Sequence, residues 1–253
     1  MPSLAQTRFE RSNEILNQFS FQLSAFSPQH TLVPHAPYSV SDKLWHLIAP
    51  AFLNHTTSIH NQETVFEDDL FLNGSGDFMR MYEMMKMDTS FFQPSGKSSL
   101  QSYFSKMRGA KNVLLVHDTF TKEEDLLFVS RESAVGSQDV YYCLCVNANQ
   151  YIENALPPVD LLRRYNSDIV IGTDSLASNW SLSILDELKT LTKHFPAIPL
   201  SELLQWSTIN GAKALQMDDR LGSFEKGKKP GVLVIEELEN GRIHQGSKVK
   251  RLV

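Results

Sequence analysis

The sequence has no excess of positive charge: 24 lysines and arginines stand against 29 aspartates and glutamates, a net charge of -5. That balance argues against the basic field a phosphate backbone selects, so nucleic acid is not an expected partner. Long apolar runs are missing as well. None approaches the roughly 20 residues needed to span a bilayer, and the start MPSLAQTRFERSNE lacks the apolar stretch of a signal peptide. No membrane is expected, and the chain reads as cytoplasmic. Without a secretory signal, the glycosylation patterns at Asn54, Asn73 and Asn179 carry no weight. Cysteine is scarce, which excludes a disulfide framework. Cys143 and Cys145, two apart on a strand-like run, share one face and read as core. A phosphate-binding loop is excluded too: Ser95-Gly96-Lys97-Ser98 has Phe91 where the first glycine must stand.

What is present is an ordinary globular composition, 253 residues with 42% hydrophobic and 21% charged, enough for one large domain or a domain with a small appendage. Its repeating unit is a short apolar run that ends in polar residues and is followed by a helix-like stretch, the pattern of a parallel sheet with crossover helices. Five runs stand out: Thr31 to Pro34 before His35, Thr57 to Ile59 before His60, Val113 to Val116 before His117, Val140 to Leu144 before Asn147, and Ile169 to Ile171 before Asp174. Helical spacing covers Asp42 to Asn54, Met79 to Met87, Ser99 to Met107, Pro158 to Tyr165, Leu182 to His194 and Ser201 to Gln216. The first 12 residues read as a polar arm or linker, and Phe9 to Phe26 as an amphipathic helix. From about residue 219 the pattern changes to a small antiparallel element, with Gly231 to Ile235 and Arg242 to His244 joined through a turn at Glu239-Asn240-Gly241. The methionines at 79, 81, 84, 85 and 87 read as core filling ahead of a channel lining.

In a parallel sheet the C-terminal strand ends line the ligand site, so a series of His35, His60, His117, Asn147 and Asp174 at those ends points to chemistry. Taken singly, each has a plainer explanation. His60 and Glu63, three apart at a helix start, are commonly a cap or a surface pair. Asp174 ahead of a helix is commonly an N-cap. His117, after a strongly apolar run, is commonly a satisfied core or rim histidine. Their succession on consecutive strand ends is what favours a shared cavity, where a histidine can bind a metal and a nearby carboxyl can move protons.

The ordered motifs His35-Ala-Pro-Tyr-Ser39, His60-Asn-Gln-Glu63, Val116-His117, Cys145-Val-Asn-Ala-Asn149 and Gly172-Thr-Asp-Ser-Leu-Ala-Ser-Asn179 resemble the amidohydrolase superfamily. The likeness is to its branch of cytosine, guanine, methylthioadenosine, S-adenosylhomocysteine and aminodeoxyfutalosine deaminases and chlorohydrolases. It runs from about Leu32 to Ile235 and includes Gly222 to Lys229, which is similar to the family's return to a small β-sandwich. The resemblance implies an α/β chain with the (β/α)8 TIM-barrel fold, of which about the fourth to eighth units fall in residues 1–218, followed by part of a small β domain in 219–253. It further implies His60 and Asp174 as ligands of a divalent metal, zinc foremost with iron as the other choice, since imidazole and carboxylate suit both. Glu63, His117 and Asp174 are the implied catalytic groups, and His35, Glu63 and His117 the implied substrate contacts.

The reaction so implied is hydrolysis of a carbon–nitrogen bond outside peptides, most readily deamination of an amino-substituted N-heterocycle. The metal lowers the pKa of water from 15.7 toward about 7, the hydroxide attacks the ring carbon bearing the amino group, Glu63 protonates the adjacent ring nitrogen, and ammonia leaves. Chloride removal and cyclic amide hydrolysis use the same attack. Two departures qualify the likeness. The family's His-X-His pair is absent from this sequence, whose eight histidines supply no such spacing, and Val146 stands where the family often has proline after cysteine. A zinc site normally has about three protein ligands plus water. The sequence therefore also carries the expectation of an incomplete fragment or non-catalytic ligand-binding chain, or of a homo-oligomer or partner chain that completes the barrel.

Overall fold

Parallel strands cannot be joined by tight turns, and this chain supplies the long crossovers they require. The computed structural model describes residues 2–23 and 30–253. Four strands, β1 (Thr56–Asn61), β2 (Asn112–His117), β3 (Asp139–Leu144) and β4 (Asp168–Ile171), form a parallel sheet in the order β1-β2-β3-β4. The β3–β4 register runs from Tyr141 opposite Asp168 to Leu144 opposite Ile171. These are four of the five expected strands.

The fifth expectation fails: Thr31 to Pro34 is not a strand. Pro34 and Pro37 have no N–H to give to a ladder, although the His35 carbonyl just beyond the segment accepts the His60 N–H of β1 at 2.9 Å.

One unit of the chain comprises residues 1–115 and 120–140. The expected polar arm is instead helical: a 3-10 turn over Pro2–Leu4 leads into α1 (Ala5–Leu23), whose Ala5 is buried. The expected end of that helix at Phe26 lies outside the described residues. α2 (Asp42–Ile48) tightens into a 3-10 turn over Ala49–Phe52, where Pro50 ends α-helical bonding. α3 (Val65–Asn73) starts at Thr64, whose hydroxyl accepts the Phe66 N–H, and stops at Gly74 with φ 66. α4 (Asp77–Met84), α5 (Ser99–Tyr103) and α6 (Glu123–Gly136) follow, with a 3-10 turn over Phe104–Met107. Apolar spacing did not reveal α3 or α6, because acidic residues of both helices are buried: Glu67 and Asp68 in α3, Asp125 in α6. α5 packs between them, on α3 and on α6.

The other unit comprises residues 116–119 and 141–253. It holds α7 (Val146–Glu153), α8 (Val159–Arg164), α9 (Ile184–His194), α10 (Leu200–Ser207) and α11 (Ile209–Ala214). The single helix expected over 201–216 breaks at Thr208, where φ -130 and ψ -90 leave the helical region, and both halves pack on β4. The buried side chains of this unit include Leu144, Leu162, Ile169, Leu188 and Leu191. β5 (Leu233–Glu236) pairs antiparallel with β6 (Lys248–Arg251), not with Arg242 to His244 as expected. The turn itself is as expected: Asn240 and Gly241 both have positive φ, and Glu239 and Arg242 exchange two backbone bonds of 2.9 and 3.0 Å. They form only an isolated bridge, and the chain pairs again further on.

Among the described residues no helix is long and apolar enough to cross a membrane.

Candidate active site

In the first unit the site residues gather at the end of β1. Burial alternates along this strand, with Ile59 and Asn61 inward and His60 half-buried on the other face. His60 Nδ1 lies 3.8 Å from Glu63 Oε2, with side-chain exposures of 26% and 15%. The His35 ring stands 4.9 Å from the His60 ring, inclined at 46°. The cap explanation does not apply here, since the cap of α3 is Thr64, and both His60 and Glu63 are partly buried. Between them Gln62 takes φ 44, a left-handed conformation that a non-glycine side chain adopts at a cost. Its side-chain amide donates to Asp125 at 2.9 Å and accepts from the Thr121 hydroxyl at 2.7 Å. Its backbone N–H and that of Glu63 both donate to the carboxylate of Glu67, at 3.1 and 3.0 Å.

The second unit brings His117 and Asp174 together, with candidate ligand atoms within 4.8 Å of each other. His117 is fully buried at the end of β2 with φ 83, followed by Asp118 at φ 54. Asn149 on α7 grips it twice. The Asn149 Nδ2 donates to the His117 carbonyl at 3.0 Å, and the Asn149 Oδ1 faces His117 Nδ1 at 2.8 Å. A carbonyl cannot donate, so the amide has one workable orientation and Nδ1 must carry the proton. In a neutral ring the lone pair is then on Nε2. The family's usual proline after Cys145 is Val146 here, and it opens α7 as a fully buried residue.

Asp174 follows β4 with φ 53 and is no N-cap, because α9 is capped by Ser183. Its Oδ2 accepts the Ser178 hydroxyl. The loop that carries it is closed by Asn179, whose Nδ2 donates to the Thr173 carbonyl and to buried Glu187, both at 2.7 Å. Glu187 also accepts the Asn147 N–H at 2.9 Å. Burial raises the Glu187 pKa above the usual carboxylate value, against the bonds from Asn147 and Asn179 that lower it. Asn147 thus serves the scaffold and holds Thr190 at 2.6 Å. Gly172 allows β4 to approach the cysteine pair: a Cβ there would stand 2.8 Å from Cys143 Sγ and 3.0 Å from Cys145 Sγ. Both thiols are free and buried, as expected of core residues.

Four side chains to which the sequence assigned no role at the site organise these positions: Glu67, Asn149, Asn179 and Glu187. Asn149 and Asn179 belong to the Cys145–Asn149 and Gly172–Asn179 motifs, whose spacing does not show what they bind. Glu67, one helical turn beyond Glu63, and Glu187 look like surface acids until their burial is known. The methionine stretch departs from the core-filling expectation. Met84 and Met85 are 77% and 62% exposed, and Met81, Met85 and Met87 line a cleft of about 460 Å³ in the first unit, together with Tyr38, Trp45 and Tyr82.

The Asn149 grip carries a prediction. Asn149→Ala leaves the buried His117 carbonyl short of a donor, at a cost of about 1–3 kcal/mol, and releases the ring to its other tautomer. A lower melting temperature together with a Nε2–H signal in imidazole nitrogen NMR is expected. A ring that stays Nδ1-protonated in the variant would show that Asn149 does not select the tautomer.

Residues 98–248 match the family described as Amidohydrolase family. Among curated proteins, the 5-methylthioadenosine/S-adenosylhomocysteine deaminase of Teredinibacter turnerae is 28% identical over 210 residues, covering 80% of this chain and 42% of that protein. The adenosine deaminase of Helicobacter pylori is 27% identical over 208 residues, covering 80% of this chain and 49% of that protein. The chain therefore spans about half the length of the curated relatives it matches. A solved adenosine deaminase from Xanthomonas campestris with bound zinc has a TM-score of 0.66 at 24% identity, over 90% of this chain and 47% of that one. The aminofutalosine deaminase of Helicobacter pylori, in complex with methylthio-coformycin, has a TM-score of 0.67 at 24% identity, over 89% and 56%. At these identities the structural likeness bears on the fold alone.

Proposed function

The chain belongs to the amidohydrolase family, and from that premise we propose that it carries the later βα units of a barrel hydrolase that deaminates a purine nucleoside or a similar amino-substituted N-heterocycle. The barrel portion takes residues 1–218, and 219–253 belong to a small β domain. The observation that carries the reading is the pairing of His117 with Asp174 at the C-terminal ends of parallel strands, each held by its own polar clamp. In this reading His60 and Asp174 are the ligands of a divalent ion, zinc ahead of iron. The donor types fit such an ion: the imidazole of His60 and the carboxylate of Asp174 are both ligands it accepts. When bound, the ion supplies water acidified enough to act as a nucleophile at neutral pH.

The remaining work falls to the chain's own side chains. Asp174 takes the proton of the attacking water. The His117 Nε2 lone pair accepts a hydrogen bond from that water and orients it, a role the Asn149 contact permits without an imidazolium. Glu63 delivers a proton to the ring nitrogen beside the reacting carbon. His35, whose ring leans on His60, contacts the substrate. Water adds at the carbon, the proton held by Asp174 passes to the amino group, the new hydroxyl returns a proton to Glu63, and the carbon–nitrogen bond breaks to release ammonia.

A second reading is that the chain binds such a ligand, or completes a barrel with another copy or a partner, without turnover of its own. Ammonia release by the zinc-loaded chain, assayed over adenosine, methylthioadenosine, guanine and a chlorinated triazine, separates these readings. Release from the purine compounds is expected. Chloride release alone would move the activity to dechlorination, and no product from any compound would end the deaminase reading for this chain.

A further inference from the structure

We infer that Glu67 is a positioning residue for Glu63: its buried side chain holds the turn after β1 by accepting the backbone N–H groups of both Gln62 and Glu63. The inference rests on the reading of Glu63 as the proton-transfer group.

The local sequence suggests something simpler. Thr64-Val-Phe-Glu67 has the form of a capping box, in which the glutamate would reach back to the N–H of the cap residue itself. In the structure Glu67 passes over Thr64. Its Oε1 takes the Glu63 N–H at 3.0 Å, and its Oε2 takes the Gln62 N–H at 3.1 Å and the Ser99 hydroxyl at 2.9 Å. Three donors converge on a side chain with no exposed surface. What they hold is a strained corner, since Gln62 sits at φ 44. The Gln62 side chain is pinned separately by Asp125 and Thr121, so the corner is fixed through both backbone and side chain. One residue further on, Glu63 takes its direction from that corner. A carboxyl that must meet a ring nitrogen within hydrogen-bond reach gains from such a mount, because a small misplacement lowers the rate without weakening binding.

The titratable groups around Glu67 are Glu63 on the same turn, whose charge raises the Glu67 pKa, and Tyr38 and Tyr82, whose hydroxyls burial and the Glu67 charge keep protonated. Asp68, Lys122 and Asp125 lie in the adjoining network, where Lys122 donates to Asp68 at 3.1 Å. Burial pushes the Glu67 carboxyl up to about 8, while the three donors pull toward the ionised form.

Amide hydrogen exchange of the whole chain tests the inference. Glu67→Gln offers one carbonyl oxygen where two oxygens are used, so protection of the Gln62 or Glu63 amide should fall at least tenfold, with amides of α6 and β3 unchanged. Ser99→Ala, which keeps both backbone bonds, should leave these two amides protected. In the zinc-loaded protein, Glu67→Gln should lower kcat at least tenfold with KM within twofold. Undiminished protection of both amides in Glu67→Gln would overturn the inference. Should that variant fail to fold, the parent answers: the Gln62 amide shift must follow the Glu67 carboxyl as it titrates, and an amide that ignores it overturns the inference equally. A parent chain without turnover, but with the expected exchange results, removes the deaminase reading and leaves Glu67 as the anchor of the turn.

Discussion

Replacing Asp174 by asparagine should weaken zinc binding by more than about 100-fold, because loss of an outer partner alone typically costs 10–100-fold and this change removes an anionic ligand. The substitution preserves volume, and the Ser178 hydroxyl that donates to Asp174 can accept from an amide instead. The loop has independent support from Asn179, which binds the Thr173 carbonyl and Glu187. The fold should therefore survive, so metal affinity can be read separately from stability. Competition against a chromophoric chelator measures the first, and thermal melting without metal measures the second. Turnover, where the parent shows it, should fall further than affinity, since the same carboxylate is proposed to take the water proton. An Asp174→Asn chain that binds zinc within threefold of the parent would rule out Asp174 as a ligand.

Glu63→Gln should leave zinc affinity within a fewfold and lower kcat by about 10²–10⁴, the usual contribution of a positioned proton donor. The glutamine keeps the length of the side chain and can remain beside His60, 3.8 Å away in the parent. It cannot ionise, so no proton can be cycled to the ring nitrogen and recovered. The expected pattern is a loss in kcat with KM nearly constant, the mark of an interaction made in the transition state. A variant with kcat within tenfold of the parent would show that the proton reaches the substrate by another route. Together with Asp174→Asn, this separates the metal side of the proposed site from its proton-transfer side.

The histidines and acids named from the motif series were legible because a parallel sheet delivers its polar strand ends to one side, and the apolar runs before His60, His117 and Asp174 are short and rich in β-branched residues. Four strands could be read in this way. The segment before His35 could not, because its prolines withhold the N–H groups that a ladder needs, which composition alone does not weigh. α3 and α6 were hidden for a different reason. Their inner faces carry Glu67, Asp68 and Asp125, so an apolar stripe is not what marks their buried side. The partner of β5 was missed because the Asn240-Gly241 turn is a strong local signal, yet the regular pairing resumes only at Lys248.

The sequence by itself determined four of the parallel strands, the βα pattern that joins them, the placement of His60, Glu63, His117 and Asp174 at or just past strand ends, and the family to which the chain belongs. These follow from periodicity and residue type, which are local properties. Tertiary structure decided what each of those residues leans on: Asn149 setting the His117 proton, Asn179 and Glu187 closing the Asp174 loop, and Glu67 bypassing its own helix cap to hold the corner under Glu63. Such contacts join residues that are buried together while lying on different elements. A buried acid and an exposed one are the same letter in the sequence, and only packing separates them.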